Sequence, residues 1–491
     1  MTQWLLREAR LQDPRFDGHL VDVRVHDGAI VEVGVDLAGA GEDVFEVAGR
    51  RLLPGLRDAH VHLLTWARTR ATAALNEDLL GAHSATEAAK AVAEARGTPG
   101  VWLLGTGFRQ ASWPSDPHKS LLDAAAPDSA VVLTSQDQHS SWWSSAALAE
   151  AGFEHETGYL REYESWDALE RIPAPTMQQD DAAVHVALTE AAARGVTSIV
   201  DYEFSGALWQ WRRRDQAASL PIRVTSGLVL DELAEALDGG WRTGDVDGMV
   251  TIGSLKLFAD GALGSRTAWC DHAFVDDDNN HGRALMVGDE MASVLQRAAA
   301  GALSATVHAI GDAANRLVLD AFAATGVRGS IEHAQLLAEA DLARIAALTR
   351  TVSVQPSHAV DDRDLADRWW ADRVDRAYPL ASLLKHGAKV VFGSDAPVAP
   401  LDPWMTIAAA VARTLDDLPP WQPSQAVSLD QALQCSTSNL IAVGQPADLI
   451  VTDVDPFSLE STELAEVTVA ATMAAGGWTH HPELEIRRSE D

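Results

Sequence analysis

Between residues 54 and 439 the chain alternates short apolar segments with Ala- and Leu-rich amphipathic stretches, and this alternation constrains the fold more than any other feature. A repeating strand and helix order buries a parallel sheet under helices and predicts an α/β architecture. Eight segments read as strands. One ends at His62, and the others are TSIVDYEF from Thr197, IRVTSGLVL from Ile222, IGSLKLFAD from Ile252, SATVHAIG from Ser304, SIEHAQ from Ser330, TVSVQPS from Thr351 and KVVFGSDA from Lys389. With helices over 291–303 and 341–348 between them, eight parallel strands predict a (β/α)8 TIM-type barrel. Residues 66–181 are too many for one crossover, hold a strand-like AVVLTSQ and the indoles of Trp113, Trp142, Trp143 and Trp166, and read as a cap inserted after the first barrel strand.

The two ends have a different texture. VDVRVHDGAIVEVGV alternates apolar and polar residues about an Asp27-Gly28 turn, the period-2 pattern of an antiparallel hairpin. The same pattern returns in PADLIVTDVDP and VTVAATMAAGGWTH. The expected division is therefore a small β-sandwich from 1–53 and 440–491, and a barrel over 54–439.

Composition narrows the partners. The 491 residues are 47% hydrophobic, which excludes a disordered or fibrous chain. Acidic residues outnumber basic ones 71 to 38, and a formal charge of −33 repels nucleic acid and anionic membrane, leaving a small-molecule substrate as the expected partner. A homo-oligomer stays open. Cys270 and Cys435 can form at most one bridge, residues 1–10 lack a signal-like apolar core, and no apolar run of about 18 residues occurs, so a cytoplasmic location is expected. Arginine carries nearly all the basic charge, with lysine at 90, 119, 256, 385 and 389 alone, a bias expected of a GC-rich bacterial source.

Chemistry concentrates at the predicted strand ends. His60 and His62 in LLPGLRDAHVHLL lie two apart, on one face of a strand, which makes either half of a divalent metal site or one satisfied core histidine with a chance neighbour. His308 in TVHAIGD and His333 in SIEHAQ end later strands, and Asp395 in VVFGSDAPV ends the eighth. The strand ends of a barrel converge on one face, so four histidines and a carboxylate placed there read together as a metal centre. Lys256 in GSLKLFADGALGSRTA sits in an apolar strand where a bare ammonium is costly to bury. It is either a carbamylated, metal-bridging ligand or an ammonium reaching Asp260 or a substrate carboxylate. Arg266, Asp312, His139 and Asp137 are further candidates for substrate binding. His358, His386, His480 and His481 fall off the strand-end pattern and read as structural or exposed. No GxSxG elbow, GxxxxGK loop or strand-placed GxGxxG is present, which argues against serine hydrolase, kinase and dehydrogenase chemistry.

Taken together, LLPGLRDAHVHLL, KLFADGALGSRTA, HAIGDAANRLVLDAF, IEHAQLL, YPLASLLKHGAKVVFGSDAPV and PADLIVTDVDP resemble the metal-dependent amidohydrolase superfamily, and within it the family 3 branch that includes N-substituted formamide deformylases. The resemblance runs over about residues 1–475. It implies a (β/α)8 barrel with a terminal β-sandwich, and His60, His62, His308 and His333 as metal ligands. It further implies Lys256 as the candidate carbamylated ligand and Asp395 as ligand and general acid/base. The expected cofactor is one or two divalent ions, zinc first, and the expected activity is hydrolysis of a non-peptide C–N bond. A deaminase or cyclic-amide hydrolase would use the same residues, and a non-catalytic binding protein on this scaffold is the remaining alternative.

Overall fold

The computed structural model describes residues 3–16, 18–70, 73–95, 102–173, 175–204, 206–481 and 486–487. All eight expected segments form barrel strands: β1 (Leu56–Val61), β2 (Val196–Asp201), β3 (Arg223–Leu228), β4 (Val250–Phe258), β5 (Ala305–Ala309), β6 (Ser330–His333), β7 (Val352–Val354) and β8 (Val390–Phe392). They pair in parallel in chain order, and a parallel bridge from Val61 to Ala396 brings the last strand back to the first. The helices that cover them show why the chain folds this way. In Gly288–Ala300, Met291, Val294, Leu295 and Ala298 recur at helical spacing and are the buried face, packed in the barrel core. The next crossover, Asp312–Thr325, buries Val318, Leu319 and Phe322 and ends on Gly326 in the left-handed region.

After β1 the chain runs through Leu63–Thr69 into the inserted segment and returns on Met177–Ala193, whose Thr176 and Gln179 form a capping box. The segment has its own four-stranded sheet, in the order Tyr159–Arg161, Ser140–Trp143, Val131–Ser135, Leu103–Phe108. Its tryptophans make its core: Trp113 stacks on Phe108 at 5.5 Å and meets Trp142 edge-on at 6.2 Å.

The two chain ends build two further sheets. One holds Gln3–Ala9, Val21–His26, Ala29–Gly34, Asp43–Glu46 and Ile486–Arg487; the other holds Arg51–Pro54, Leu449–Thr452, Val469–Ala474 and Gly477–His480. Leu6, Val25 and Phe45 share one core with Leu449, Val451 and Met473, so N- and C-terminal residues bury each other. Asp27 and Gly28, at φ 47° and 81°, make the two-residue hairpin turn expected from the sequence. Arg194 joins this layer to the barrel, donating to both Asp402 oxygens at 2.9 and 3.0 Å and to the carbonyls of Ala465 and Val467. Among the described residues no helix is long and apolar enough to cross a membrane, and Cys270 and Cys435 are buried free thiols.

The seam between β8 and β1 is closely packed. The Asp395 N–H donates to the His60 carbonyl at 2.7 Å, and the His62 N–H donates to the Ala396 carbonyl at 2.8 Å. Gly393 makes this approach feasible, because a Cβ there would lie 2.6 Å from the His60 nitrogen and 2.7 Å from its Cβ. Gly393→Ala should therefore destabilise the protein by about 1–3 kcal/mol, as overpacking does. It should also lower metal content, and urea denaturation with elemental analysis checks both.

Candidate metal centre and cleft

Asp395 lies just beyond β8, with left-handed backbone (φ 58°) that aims its carboxylate back over the barrel mouth. Its Oδ1 is 3.4 Å from His60 Nε2 and 3.5 Å from His62 Nε2, and its Oδ2 is 3.9 Å from His333 Nδ1. His333 ends β6, also with positive φ (76°). A bulky residue in that region is strained, and such strain collects at functional sites. One ligand atom each from His60, His333 and Asp395 lies within 4.8 Å of the others, a spacing able to hold a metal ion. His62 has left the strand and starts the following helix, yet its ring stays 5.6 Å from that of His60. His308 on β5 packs its ring 4.5 Å from His333, while its Nε2 lies 3.1 Å from the Gly261 carbonyl. Lys256 on β4 places Nζ 3.2 Å from His60 Nε2 and over the Tyr202 ring at 4.6 Å.

The electrostatics suit a cation. Burial lowers His60, His308 and His333, the Lys256 ammonium pushes all three further down, and the His139 cation adds to this at His308. These imidazoles are thus neutral, the form that ligates metal. Burial raises the Asp395 carboxyl, but attraction from His60, a hydrogen bond from His62 and attraction from His333 and His358 outweigh it and hold Asp395 well below the ordinary carboxylate range. Burial brings the Lys256 ammonium down to about 8. His62 Nδ1 is a buried nitrogen with no partner. A donor set of imidazole nitrogens and one carboxylate, with an unpartnered nitrogen among them, fits a divalent first-row ion.

Several residues of the centre lay outside the sequence reading. Glu332, beside His333, accepts from His60 Nδ1 at 2.6 Å and from Thr306 Oγ1 at 2.5 Å, fixing which face of the His60 ring points at Asp395. A carboxylate inside an apolar strand needs a partner as much as Lys256 does, and that was the available signal. Asp58 accepts from the backbone N–H groups of His60 and Ser394, binding β1 to the turn that carries Asp395. His358 corrects the reading of it as structural or exposed. Pro356 ends β7 early and starts the helix Pro356–Asp361, which turns His358 inward, buried, with Nε2 4.0 Å from Asp395 Oδ2. Asp260 is not the partner of Lys256; it accepts backbone N–H groups from Trp269, Ile310 and Gly311.

A cleft opens over Asp395, and Asp137, His139, His308, His333 and His358 line it. His139 comes from the inserted segment. Its Nδ1 lies 2.8 Å from Glu162, whose other oxygen accepts from Ser265 and Thr267 in the loop after β4. Burial lowers His139, but Glu162 overrides it and raises the imidazole to about 9, so it is a cation at the cleft wall. Gly264 lets Asp137 close on that loop, since a Cβ there would sit 2.3 Å from Asp137 Oδ2. Arg266 and Asp312 point elsewhere. Arg266 pairs with Asp276 at 3.3 Å and lies over Trp369, and Asp312 accepts from the Asp271 N–H and from Arg376.

A barrel whose strand ends carry this cluster defines a class, the metal-dependent hydrolases, and comparison with known proteins places the chain within it. The Amidohydrolase family model matches residues 43–480, and the protein belongs to that family. Protein LONG AFTER FAR-RED 3 of Arabidopsis thaliana is 29% identical over 519 residues, 92% of this chain and 87% of that one. N-substituted formamide deformylase of Arthrobacter pascens is 25% identical over 513 residues, 91% of this chain and 92% of the relative. Among solved structures, an uncharacterized metal-dependent hydrolase from Pyrococcus horikoshii OT3 superposes with a TM-score of 0.78 at 24% identity, covering 94% of this chain and 99% of that one.

Because Glu332 orients His60 and raises its basicity, Glu332→Gln should keep the fold and weaken divalent-metal affinity by roughly 10–100-fold. Metal retention against a graded chelator, with circular dichroism as the fold control, checks this.

Proposed function

We propose that the enzyme hydrolyses a non-peptide, amide-type C–N bond in a small molecule, with Asp395 as general acid and base. The observation that carries this reading is the ionised Asp395 carboxylate, ringed by His60, His62 and His333 and facing the cleft. His60, His62, His308, His333 and Asp395, with Lys256 as a carbamate, would hold one or two divalent ions, and zinc suits these donors. Such an ion polarises a carbonyl-type oxygen and brings the pKa of water to about 7.

The chain's own groups do the rest. Asp395 is deprotonated and lines the cleft, so it is available to take the proton of the attacking water, and it returns that proton to the departing nitrogen, since an amine anion is a poor leaving group. His139, a cation held by Glu162 at the cleft wall, faces developing negative charge on the substrate oxygen. Asp137, beside it, is placed to accept from a substrate N–H. The Lys256 amine, lowered to about 8, is partly neutral near physiological pH, and only the neutral amine reacts with carbon dioxide.

Asp395→Asn is expected to keep the fold and bound metal while lowering turnover by a factor on the order of 100 or more. The assay is a panel of formamides, N-acyl amines, lactams and aminopurines on metal-loaded protein. Near-normal turnover by the variant overturns the role of Asp395, and ammonia release from aminopurines alone replaces amide hydrolysis with deamination.

A further inference from the structure

A second cavity, with His333 in its wall, is lined by Arg413, Tyr378, Gln335, Gln355, Leu380 and Leu383 among others. Arg413 is its unusual feature. Arg51, Arg214, Arg373 and Arg413 are the arginines buried below a tenth exposed among the described residues. Arg51 meets Asp455 at 2.5 Å, Arg214 meets Asp181 at 2.8 Å and Arg373 meets Asp372 at 2.8 Å. Arg413, 1% exposed, has no carboxylate within salt-bridge distance among the described residues. Its Nε donates to the Trp421 carbonyl at 3.2 Å and its guanidinium lies 5.7 Å from the Trp421 ring centroid, but Nη2 is buried with no partner.

A guanidinium stays charged under any physiological condition, so the charge cannot be relieved by losing a proton. A buried charge needs an opposite one, and a planar N–H fork is suited to a small anion. Tyr378 offers no compensation, because its hydroxyl donates to Asp362 at 2.6 Å. Gln335, a second polar side chain in the lining, also has a buried atom without a partner, its Oε1, and the amide can be turned over to offer NH2 donors instead. Leu380, Leu383 and Pro356 add apolar wall, which strengthens any charge interaction inside.

We propose that this cavity is an anion site, in which Arg413 with Gln335 binds a small monovalent anion, either a free halide or a carboxylate group. The two sources share one chemistry and differ in where the anion comes from. His333 and Gln335 line both this cavity and the cleft over Asp395, so an anion here sits one side chain behind the metal centre. His333 Nδ1 bonds Gln355 Oε1 at 2.8 Å on the same wall. The site is built from residues outside the proposed catalytic set except His333, and its occupancy can be read without turnover.

The test uses the full wild-type chain. Crystals equilibrated in sodium bromide should give an anomalous peak within about 3.5 Å of Arg413 Nη2. Thermal melting at fixed ionic strength should rise by ~2 °C or more in chloride or bromide relative to bulky gluconate, as expected for a ligand that binds only the folded state. Arg413→Gln should lose both responses, and Arg413→Lys should retain a weakened one. A bromide peak assigns a free anion, and formate or acetate density at Nη2 without bromide assigns a carboxylate; either supports the site. Water at Nη2 in all these crystals, with melting indifferent to the anion, overturns it.

Discussion

The Asp395 N–H donates to the His60 carbonyl, and the candidate metal centre depends on this bond, one of two backbone hydrogen bonds that close the barrel. It is made where β8 returns to β1, with Gly393 removing the side chain that would hold the strands apart. Asp58 adds a second tie across the same joint through the His60 and Ser394 N–H groups. The bond obliges Asp395 to take left-handed backbone, and the carboxylate is thereby turned from a strand neighbour into the centre of a ring of imidazoles. Residues far apart in sequence thus owe their contact to the number of strands, since fewer or more would leave Asp395 beside a different partner.

Opposite charges are buried together around that seam. Asp395 and Glu332 are held ionised, Lys256 offers one opposing charge, and the buried imidazoles of His60, His308 and His333 are neutral. Two ionised carboxylates among neutral imidazoles in a dry surrounding favour a bound cation. The Glu332 carboxylate does not compete for that cation from the open side, because His60 and Thr306 occupy it. One carboxylate is thus spent on orienting a ligand while the other faces the cleft.

The inserted segment is joined to the barrel by the same kind of interaction. Glu162 holds His139 on one side and takes hydrogen bonds from Ser265 and Thr267 on the other, so one buried carboxylate both docks the segment and charges the imidazole that faces the cleft. This accounts for much of the GALGSRT loop. Its Gly264 and Ser265 serve contact with the segment, whereas Arg266 serves the neighbouring Asp276 and Trp369.

Strand number, crossover helices, the terminal hairpin and the residues on the strand ends were determined by sequence alone, because periodicity and strand-end position are local properties that burial makes obligatory. That His60, His62, His308, His333 and Asp395 come together was legible for that reason, as was the burial of Lys256, an ammonium in an apolar strand. Glu332 was readable in principle on the same ground. His358 was not, because Pro356 starts a helix two residues before the histidine and redirects it inward. Arg266 and Asp312 looked available as a charge near a motif, and only the fold supplied Asp276 and Arg376 to occupy them. The tertiary structure alone decided partners: which carboxylate orients which ring, which histidine reaches across from the inserted segment, and which arginine is buried without an acid. Hydrogen bonds and charge pairs form between groups brought close by barrel closure and packing, and no local pattern encodes a distance between residues 272 positions apart, as His60 and Glu332 are.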